Sequence, residues 1–201
     1  MTAAGTRERI EAATARLLRR QGYHGTGLKQ ISAEASAPFG SIYHFFPGGK
    51  GALAEEVIRT EGARYADLFD IFLGEASDLP AGIAAAFEGA AQALRDSGYQ
   101  DACPVATVAL EVASVHEGLR QATADVFDGW IERGVGHFKR WDLDDQTARS
   151  LVMMVIMALE GAFLLARARR STEPLAVAGA VMAQLMGAAI ASRSTQGQAR
   201  P

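Results

Sequence analysis

The spacing of apolar residues predicts helices along the whole chain. Apolar residues recur at intervals of three and four, as in Ile10, Ala13 and Leu17 and again in Leu119, Ala122 and Val126. This spacing is typical of amphipathic helices. Alanine is abundant and runs of β-branched residues are scarce, which also favours helix. The pattern predicts an all-α protein.

Residues 27–50 predict two short helices separated by a tight turn. Leu28, Ile31 and Ala35 form the buried stripe of the first helix, and Ser36-Ala37-Pro38 interrupts it. The second helix has Ile42, Phe45 and Phe46 on its core side and turns the remaining side chains outward: Phe39, Gly40, Ser41, Tyr43 and His44. Two helices in this arrangement fit the major groove of DNA.

Residues suited to begin and end helices, on the N-terminal side of this motif, predict a three-helix domain at the N-terminus. Thr6 is suited to cap a first helix that Gly22 ends, and Thr26 is suited to cap the second. We therefore expect a helix-turn-helix domain at residues 1–50, with the motif at about 27–46. A larger helical domain for effector binding and dimerisation follows at 51–191, and a disordered tail at 192–201.

Charge and cysteine content narrow the class of protein. Residues 1–50 hold seven Lys/Arg against three Asp/Glu, whereas the remainder holds 13 against 20. This split concentrates positive charge near the helix-turn-helix, although chance segregation of surface charge is the alternative. Cys103 is the single cysteine, and the first residues lack the hydrophobic core of a signal peptide. These features predict a cytoplasmic protein.

The last two helical segments are the most apolar, at residues 151–166 and 175–191. A membrane hairpin needs runs of roughly 20 apolar residues; these runs are shorter, and Glu160 and Gln184 interrupt them. We therefore expect no membrane and a homodimer instead, because helices that are apolar on several faces bury them against a second copy. The expected interface residues are Leu151, Val155, Leu159, Gly179, Ala183, Gly187 and Ala191.

The N-terminal quarter resembles the DNA-binding domain of TetR-family transcriptional regulators. The matching residues run from Thr6-Arg7-Glu8-Arg9-Ile10 through Gly22-Tyr23 and Gly25-Thr26 to Gly40-Ser41-Ile42-Tyr43-His44-Phe45-Phe46 and Lys50. Ala37-Pro38, the extra glycine before Lys50, Cys103-Pro104-Val105 and Leu159-Glu160-Gly161-Ala162 resemble the branch that contains LmrA/YxaF-type regulators. The resemblance implies an all-helical homodimer with a C-terminal effector-binding domain, usually a repressor released by a small molecule.

Side-chain chemistry and the resemblance together assign candidate DNA contacts. Gly40 permits close approach to the duplex, and hydroxyl, imidazole and ammonium groups bind base edges or phosphates. Phe39 stands where the family often has a polar or basic residue, which leaves contact with a thymine methyl. Packing at the rim of the bundle is the alternative for Tyr43 and His44. The predicted DNA-binding residues are Thr26, Lys29, Phe39, Gly40, Ser41, Tyr43, His44 and Lys50.

Aromatic and methionine side chains of the C-terminal part predict an effector cavity for an apolar or aromatic ligand, with a packed core as the alternative. Glu160 is included because an acid within an apolar helix needs a partner, a proton, water or a ligand. The candidates are Phe69, Phe87, Cys103, Phe127, Trp130, Met153, Met157, Glu160 and Phe163. The four histidines show no metal-ligand spacing, and no phosphate loop or nucleophile motif is present. We therefore expect no cofactor, no metal and no enzymatic activity.

The sequence thus predicts a homodimeric helix-turn-helix repressor that binds a palindromic operator in double-stranded DNA and is released by a small effector. Two rival functions stay open. One is a DNA-binding dimer that responds to no ligand, and the other is a carrier of apolar ligands, or a membrane-bound helical protein, in which the N-terminal motif is incidental.

Overall fold

The computed structural model describes the backbone of residues 3–198 and the side chains of residues 5–192. Within this range the chain forms nine α-helices and a short 3-10 turn (Lys139–Trp141), which confirms the predicted all-α fold. The helices are α1 (Ala3–Gln21), α2 (Leu28–Glu34), α3 (Phe39–Phe45), α4 (Gly49–Leu73), α5 (Leu79–Asp96), α6 (Pro104–Val112), α7 (Glu117–Phe138), α8 (Asp145–Arg169) and α9 (Glu173–Gln198).

The helix ends follow local side-chain chemistry, with two exceptions. Gly22 ends α1 with a φ of +71°, as its sequence position predicted. The Asp144 carboxylate caps α8 by accepting a hydrogen bond from Thr147 N at 2.9 Å. The predicted caps at Thr6 and Thr26 are wrong. Thr6 lies inside α1, and α2 is capped by the backbone of Gly27 without a side-chain hydrogen bond.

The chain divides into two compact units. The first comprises residues 1–64 and 100–127, in which α1 packs against α2, α3 and α6. The second comprises residues 65–99 and 128–201. These bounds differ from a division after residue 50, because α6 and the first part of α7 return to the N-terminal bundle. The assignment of DNA binding and effector binding to separate domains remains a proposal.

The core of the second unit is built mainly on α5 and α9, and α8 packs on α9. A Cβ atom added at Gly179 would lie 2.7 Å from Phe87 Cβ, so only glycine allows α9 to approach α5 this closely. One at Gly187 would lie 3.7 Å from Pro80 Cγ. The small residues of α9 therefore do permit close helix packing, but at Gly179 and Gly187 the partner is α5 of the same chain.

Two helical segments, Asp145–Arg169 and Glu173–Ser192, are long and apolar enough to cross a membrane by length and composition alone. This is weak support for a span, since core helices of soluble proteins meet the same criteria. Val152, Ala162, Met182 and Met186 of these segments are buried in a core that α5 and α7 share. The two helices thus fit the core of a soluble domain.

The predicted tail begins at residue 192, whereas α9 remains helical to Gln198. The last three residues of that tail, 199–201, lie outside the described part of the chain. Disorder of the tail stays a prediction.

Candidate DNA-binding face and effector unit

The turn between α2 and α3 is held by hydrogen bonds to the carbonyls on either side of Ser36. Ser36 has a φ of +48°, in the left-handed region that non-glycine residues rarely occupy. Ser32 Oγ donates to the carbonyl of Ala37 at 2.7 Å, and Arg9 Nε of α1 donates to the carbonyl of Ala35 at 3.0 Å. Ile31 and Ile42 are fully buried beneath the turn. The helix-turn-helix is therefore fixed from within the first unit.

The outer face of α3 exposes two aromatic rings. Phe39 and Tyr43 are 43% and 49% exposed, and their ring centroids lie 5.8 Å apart in an edge-to-face arrangement. Gly40 lies between them on the exposed surface, and a Cβ atom added there would meet open space. His44 is also exposed, with its ring edge-on to Phe45. These four predicted residues form one surface, and Ser41 is half-buried beside it.

The extra glycine that follows α3 supports this surface. Gly49 has a φ of +65°, which an L side chain rarely adopts. A Cβ atom at Gly49 would also lie only 3.3 Å from Cε1 of Tyr43. Gly49 therefore allows the sharp entry into α4 and lets the Tyr43 ring pack against the backbone there.

The remaining predicted DNA contacts have different environments. Thr26 is 1% exposed, and its hydroxyl donates to the carbonyl of Gly22 at 2.6 Å, so this side chain holds the α1–α2 turn rather than facing outward. Lys29 is exposed on α2. Lys50 is half-buried, with its ammonium 4.1 Å from the centre of the Tyr23 ring. Burial lowers the pKa of Lys50, and the nearby Glu111 carboxylate partly opposes that shift.

The positive charge of residues 1–50 is largely neutralised within the first unit. Residues 1–64 and 100–127 together hold ten Lys/Arg and ten Asp/Glu. Arg19, for example, binds Glu61 at 2.7 Å and approaches Asp101 at 3.6 Å. In the described part of this unit seven arginines form ion pairs with carboxylates, namely Arg7, Arg16, Arg19, Arg20, Arg59, Arg64 and Arg120. The charge split along the sequence therefore overstates the positive potential of the folded unit.

The predicted effector residues do not all lie together. Phe87 and Trp130 are buried in the second unit, where Phe69, Glu160 and Phe163 are half-buried, and Tyr65 stacks on Trp130. Cys103 and Phe127 belong to the first unit; Cys103 Sγ accepts a hydrogen bond from Ala106 N and caps α6. Met153 and Met157 are 41% and 56% exposed, so they lie on the outside of α8 rather than around an enclosed ligand.

A polar cluster in the second unit escaped the sequence analysis. Asp70 of α4 accepts a hydrogen bond from Arg133 and lies 2.7 Å from His137 Nε2 of α7. Hydrogen bonds from Arg133, and then His137, lower the pKa of Asp70, so its carboxylate is ionised at neutral pH. Because an ionised carboxylate only accepts hydrogen bonds, His137 Nε2 carries the proton. His137 Nδ1 is buried and has no hydrogen-bond partner among the described residues.

The predicted dimer-interface residues lie mostly inside one chain. Leu151 and Val155 are buried, Leu159 packs against the same core, and Gly179 packs against Phe87. Ala183 and Gly187 are half-buried, and Ala191 is exposed. The bulky exposed side chains lie elsewhere on the two helices, in two stripes: Met153, Met154, Met157, Leu164 and Leu165 on α8, and Val177, Val181 and Leu185 on α9. The i, i+4 spacing of Val177, Val181 and Leu185 is visible in the sequence and is the signal that indicates this face.

Comparison with known proteins agrees with these features. Residues 10–57 match the family of bacterial regulatory proteins of the tetR type, and residues 80–181 match the C-terminal domain of LmrA/YxaF-like transcriptional regulators. The chain is 32% identical to the HTH-type transcriptional regulator LmrA of Bacillus subtilis over 87% of this chain and 93% of LmrA. It is 31% identical to an uncharacterised HTH-type transcriptional regulator of Mycobacterium tuberculosis over 94% of this chain and 98% of that protein.

A solved structure has the same fold. The regulatory protein TetR from Rhodobacter sphaeroides superimposes with a TM-score of 0.79 at 22% identity, covering 88% of this chain and 96% of that one. Relatives in both comparisons are transcriptional regulators rather than enzymes, and dimers and a cytoplasmic location are typical of their family. Together with the helix-turn-helix of α2 and α3, the matches show that this chain belongs to the TetR family of DNA-binding transcriptional regulators, in its LmrA/YxaF-like branch.

Proposed function

We propose that this chain is a cytoplasmic, ligand-responsive repressor that binds a palindromic operator as a homodimer. Each protomer places α3 in a major groove, and two-fold symmetry sets the half-sites about 34–36 Å, one helical turn, apart or a multiple of it. A small apolar or aromatic effector that binds better to a different dimer conformation shifts the population away from the DNA-competent state. The protein has no enzymatic role in this proposal.

The observation that carries DNA binding is the two-sided character of α3. Its Ile42 side chain is buried, while Phe39, Gly40, Tyr43 and His44 are exposed on a rigidly held helix. Phe39 and Tyr43 each keep more than two fifths of their surface exposed, and packing within the first unit does not use that part. Lys29, also exposed, and Lys50 at the start of α4 supply the phosphate contacts that position α3 on the duplex.

The exposed stripes of α8 and α9 supply the dimer interface. The stripe on α9 has its bulky side chains at every fourth residue, and α8 packs directly on α9. Contiguous apolar surface of this kind marks an interaction site. A second copy of the same two helices buries both stripes in an isologous interface. The predicted homodimer is thus retained, with the bulky stripes in place of the small-residue stripe.

The unpartnered His137 Nδ1 supports effector binding over a purely dimerising role for the second unit. A buried polar atom without a hydrogen bond costs about 1–3 kcal/mol, so the unpartnered nitrogen suggests a function. An effector that carries a hydroxyl group, which can both donate and accept, forms a hydrogen bond with this nitrogen, while apolar surface of the unit contacts the rest of the molecule. The Asp70 carboxylate, 2.7 Å from Nε2, holds the ring in a fixed orientation.

Selection of genomic DNA fragments by the purified protein tests the proposal. We expect recovery of a palindromic sequence, and its release when the selection is repeated with a panel of apolar and aromatic compounds. Recovery of an operator that no compound releases would favour the ligand-independent dimer. Failure to retain any sequence above background would contradict DNA-sequence recognition itself.

Substitution of His137 tests its role as the effector's polar contact. We expect His137→Leu to change the free energy of unfolding by less than about 1 kcal/mol, because removal of the unsatisfied buried nitrogen offsets loss of the hydrogen bond to Asp70. The variant should bind the operator normally yet require a higher concentration of any releasing compound. Ile156→Val, a change in apolar volume at a half-buried residue of α8 in the same unit, serves as the control for general repacking. Lower stability together with unchanged release would assign His137 a structural role.

A further inference from the structure

The exposed face of α3 lacks the side chains that read bases by paired hydrogen bonds. Bidentate recognition of guanine requires Arg or Lys, and that of adenine requires Asn or Gln. Residues 39–45 read Phe-Gly-Ser-Ile-Tyr-His-Phe and contain none of these four residue types. Ser41 and His44 each offer single hydrogen bonds. Base discrimination by this helix must therefore rest largely on shape and apolar contact.

The aromatic ring best placed for such contact belongs to Phe39. In helix-turn-helix proteins the N-terminal residues of the recognition helix contact the base edges. Phe39 is the first residue of α3 and keeps 43% of its surface exposed. Its ring packs edge-to-face on Tyr43, and Tyr43 in turn packs against the backbone of Gly49. The Phe39 ring is thus supported before any DNA arrives.

We propose that Phe39 selects thymine in each operator half-site by packing on its C5-methyl group. The methyl group is the apolar feature that distinguishes a base pair in the major groove. This inference rests on the proposed DNA-binding function and names the chemistry by which that function achieves specificity. Tyr43 positions the Phe39 ring, and Gly49 positions Tyr43.

The setting of the two rings favours a base edge over an apolar protein partner. Gly40 and His44 flank the rings and are exposed, and Ser41 beside them is half-buried. A pair of rings among polar and small groups matches a groove in which methyl groups are scattered among hydrogen-bonding atoms. The surface also lies on α3, within the part of the chain that matches the tetR family of regulatory proteins.

Replacement of thymine by deoxyuridine in the selected operator is the direct test. The replacement removes only the methyl group and preserves every hydrogen-bonding atom of the base pair. Burial of one methyl group corresponds to about a fourfold change in affinity, so a symmetric pair of replacements should weaken binding about 15-fold. We expect this loss at one thymine per half-site, measured by fluorescence anisotropy with the wild-type protein.

Variants of α3 connect the effect to Phe39. Phe39→Ala should bind thymine and deoxyuridine operators with equal affinity, whereas Tyr43→Phe keeps the ring pair and should still discriminate about fourfold per methyl. Circular dichroism checks that each variant is folded, and the wild-type scan needs no variant at all. Insensitivity of the wild-type protein to every replacement would overturn the inference, as would undiminished discrimination by Phe39→Ala. Failure of the proposed function is distinguishable, because then no operator is selected.

Discussion

The exposed face of α3 and the exposed stripes of α8 and α9 both present apolar side chains to solvent, but they differ in extent and setting. On α3 the apolar surface consists of two rings, with Gly40 and His44 exposed beside them. On α8 and α9 it consists of eight Met, Leu and Val side chains, of which Leu164 is 67% exposed. Both surfaces lie on helices whose opposite sides are buried.

The difference indicates what each surface binds. A continuous apolar stripe gains most free energy by burial against another apolar surface, since the gain scales with the apolar area removed from water. Two isolated rings beside hydrogen-bonding groups gain little in that way and suit a polar partner with local apolar features. The stripes of α8 and α9 therefore fit a second copy of the chain, and the exposed face of α3 fits the edges of base pairs.

Charges placed in the stripes should produce the largest effect. Leu164→Glu combined with Val181→Glu should weaken dimerisation about a hundredfold or more, because like charges brought together at an interface cost several kcal/mol. Sedimentation velocity measures the change, and binding to a two-half-site operator should fall with it. Leu110→Glu on α6, which alters an 83% exposed leucine of the first unit, is the matched control. A double variant that remains dimeric would refute the assigned interface.

Alanine substitutions at the glycines of α9 distinguish packing within one chain from packing between two chains. Gly179→Ala should lower the free energy of unfolding by about 1–3 kcal/mol, because the added methyl group meets Phe87 and cannot move aside. Gly187→Ala has room for its methyl group and should raise it by up to about 1 kcal/mol through helix propensity. Urea denaturation measures both changes. If either variant dissociated the dimer without changing the free energy of unfolding, the small residues of α9 would instead belong to the dimer interface.

Gly40→Ala should change stability and DNA affinity in opposite directions. The added methyl group meets open space in the protein, so helix propensity should raise the free energy of unfolding by about 0.5–1 kcal/mol. On the operator the same methyl group lies between Phe39 and Tyr43 and should hold α3 away from the bases. Thermal unfolding and anisotropy titration give the two values. Unchanged operator affinity would show that α3 does not approach the duplex closely at Gly40.

The salt dependence of binding should be shallow for a DNA-binding protein. With most arginines of the first unit paired to carboxylates, Lys29 and Lys50 remain for phosphate contact. Two contacts per protomer predict a slope of log K against log salt near about −3.6 for the dimer. Lys29→Ala should reduce the magnitude of that slope by about 1 per half-site, and Arg120→Ala, which removes an exposed ion pair with Glu117, should leave it unchanged. A slope twice as steep would mean that the paired arginines open to bind phosphate.

The first unit was predictable from the sequence because its signals are local. Gly22, the stripe of Leu28, Ile31 and Ala35, and the break before Phe39 each fix nearby backbone, and the structure agrees with them. Thr26 was misassigned because the same hydroxyl can cap the following helix or bond the preceding turn, and only the fold decides between them. The count of charges in residues 1–50 overestimates the positive potential of the folded unit for a related reason. Arg7, Arg19 and Arg20 pair with carboxylates that are distant in sequence, namely Glu56 and Glu61 of α4 and Asp101.

The second unit was less predictable because its small-residue and apolar patterns indicate a helix contact without indicating which helix is the partner. The stripe of Gly179, Ala183 and Gly187 correctly predicted a close helix contact, but equally fits α5 or a second protomer. Phe87 settles the question by occupying the space above Gly179. The pairing of Asp70 with His137 joins residues 67 positions apart and has no periodic signature. Residue type alone predicts Met153 and Met157 in an effector cavity, whereas their side chains are 41% and 56% exposed on the outside of α8.

Hydroxyl-radical footprinting of the selected operator tests most directly the claim that two copies of α3 read a symmetric site. We expect two protected segments related by a two-fold axis, with centres about 34–36 Å apart or a multiple of that distance. The Leu164→Glu, Val181→Glu variant should lose both segments together. A single unsymmetric segment, or protection of the wild-type site that persists in the monomeric variant, would contradict recognition of a symmetric site by two copies of α3.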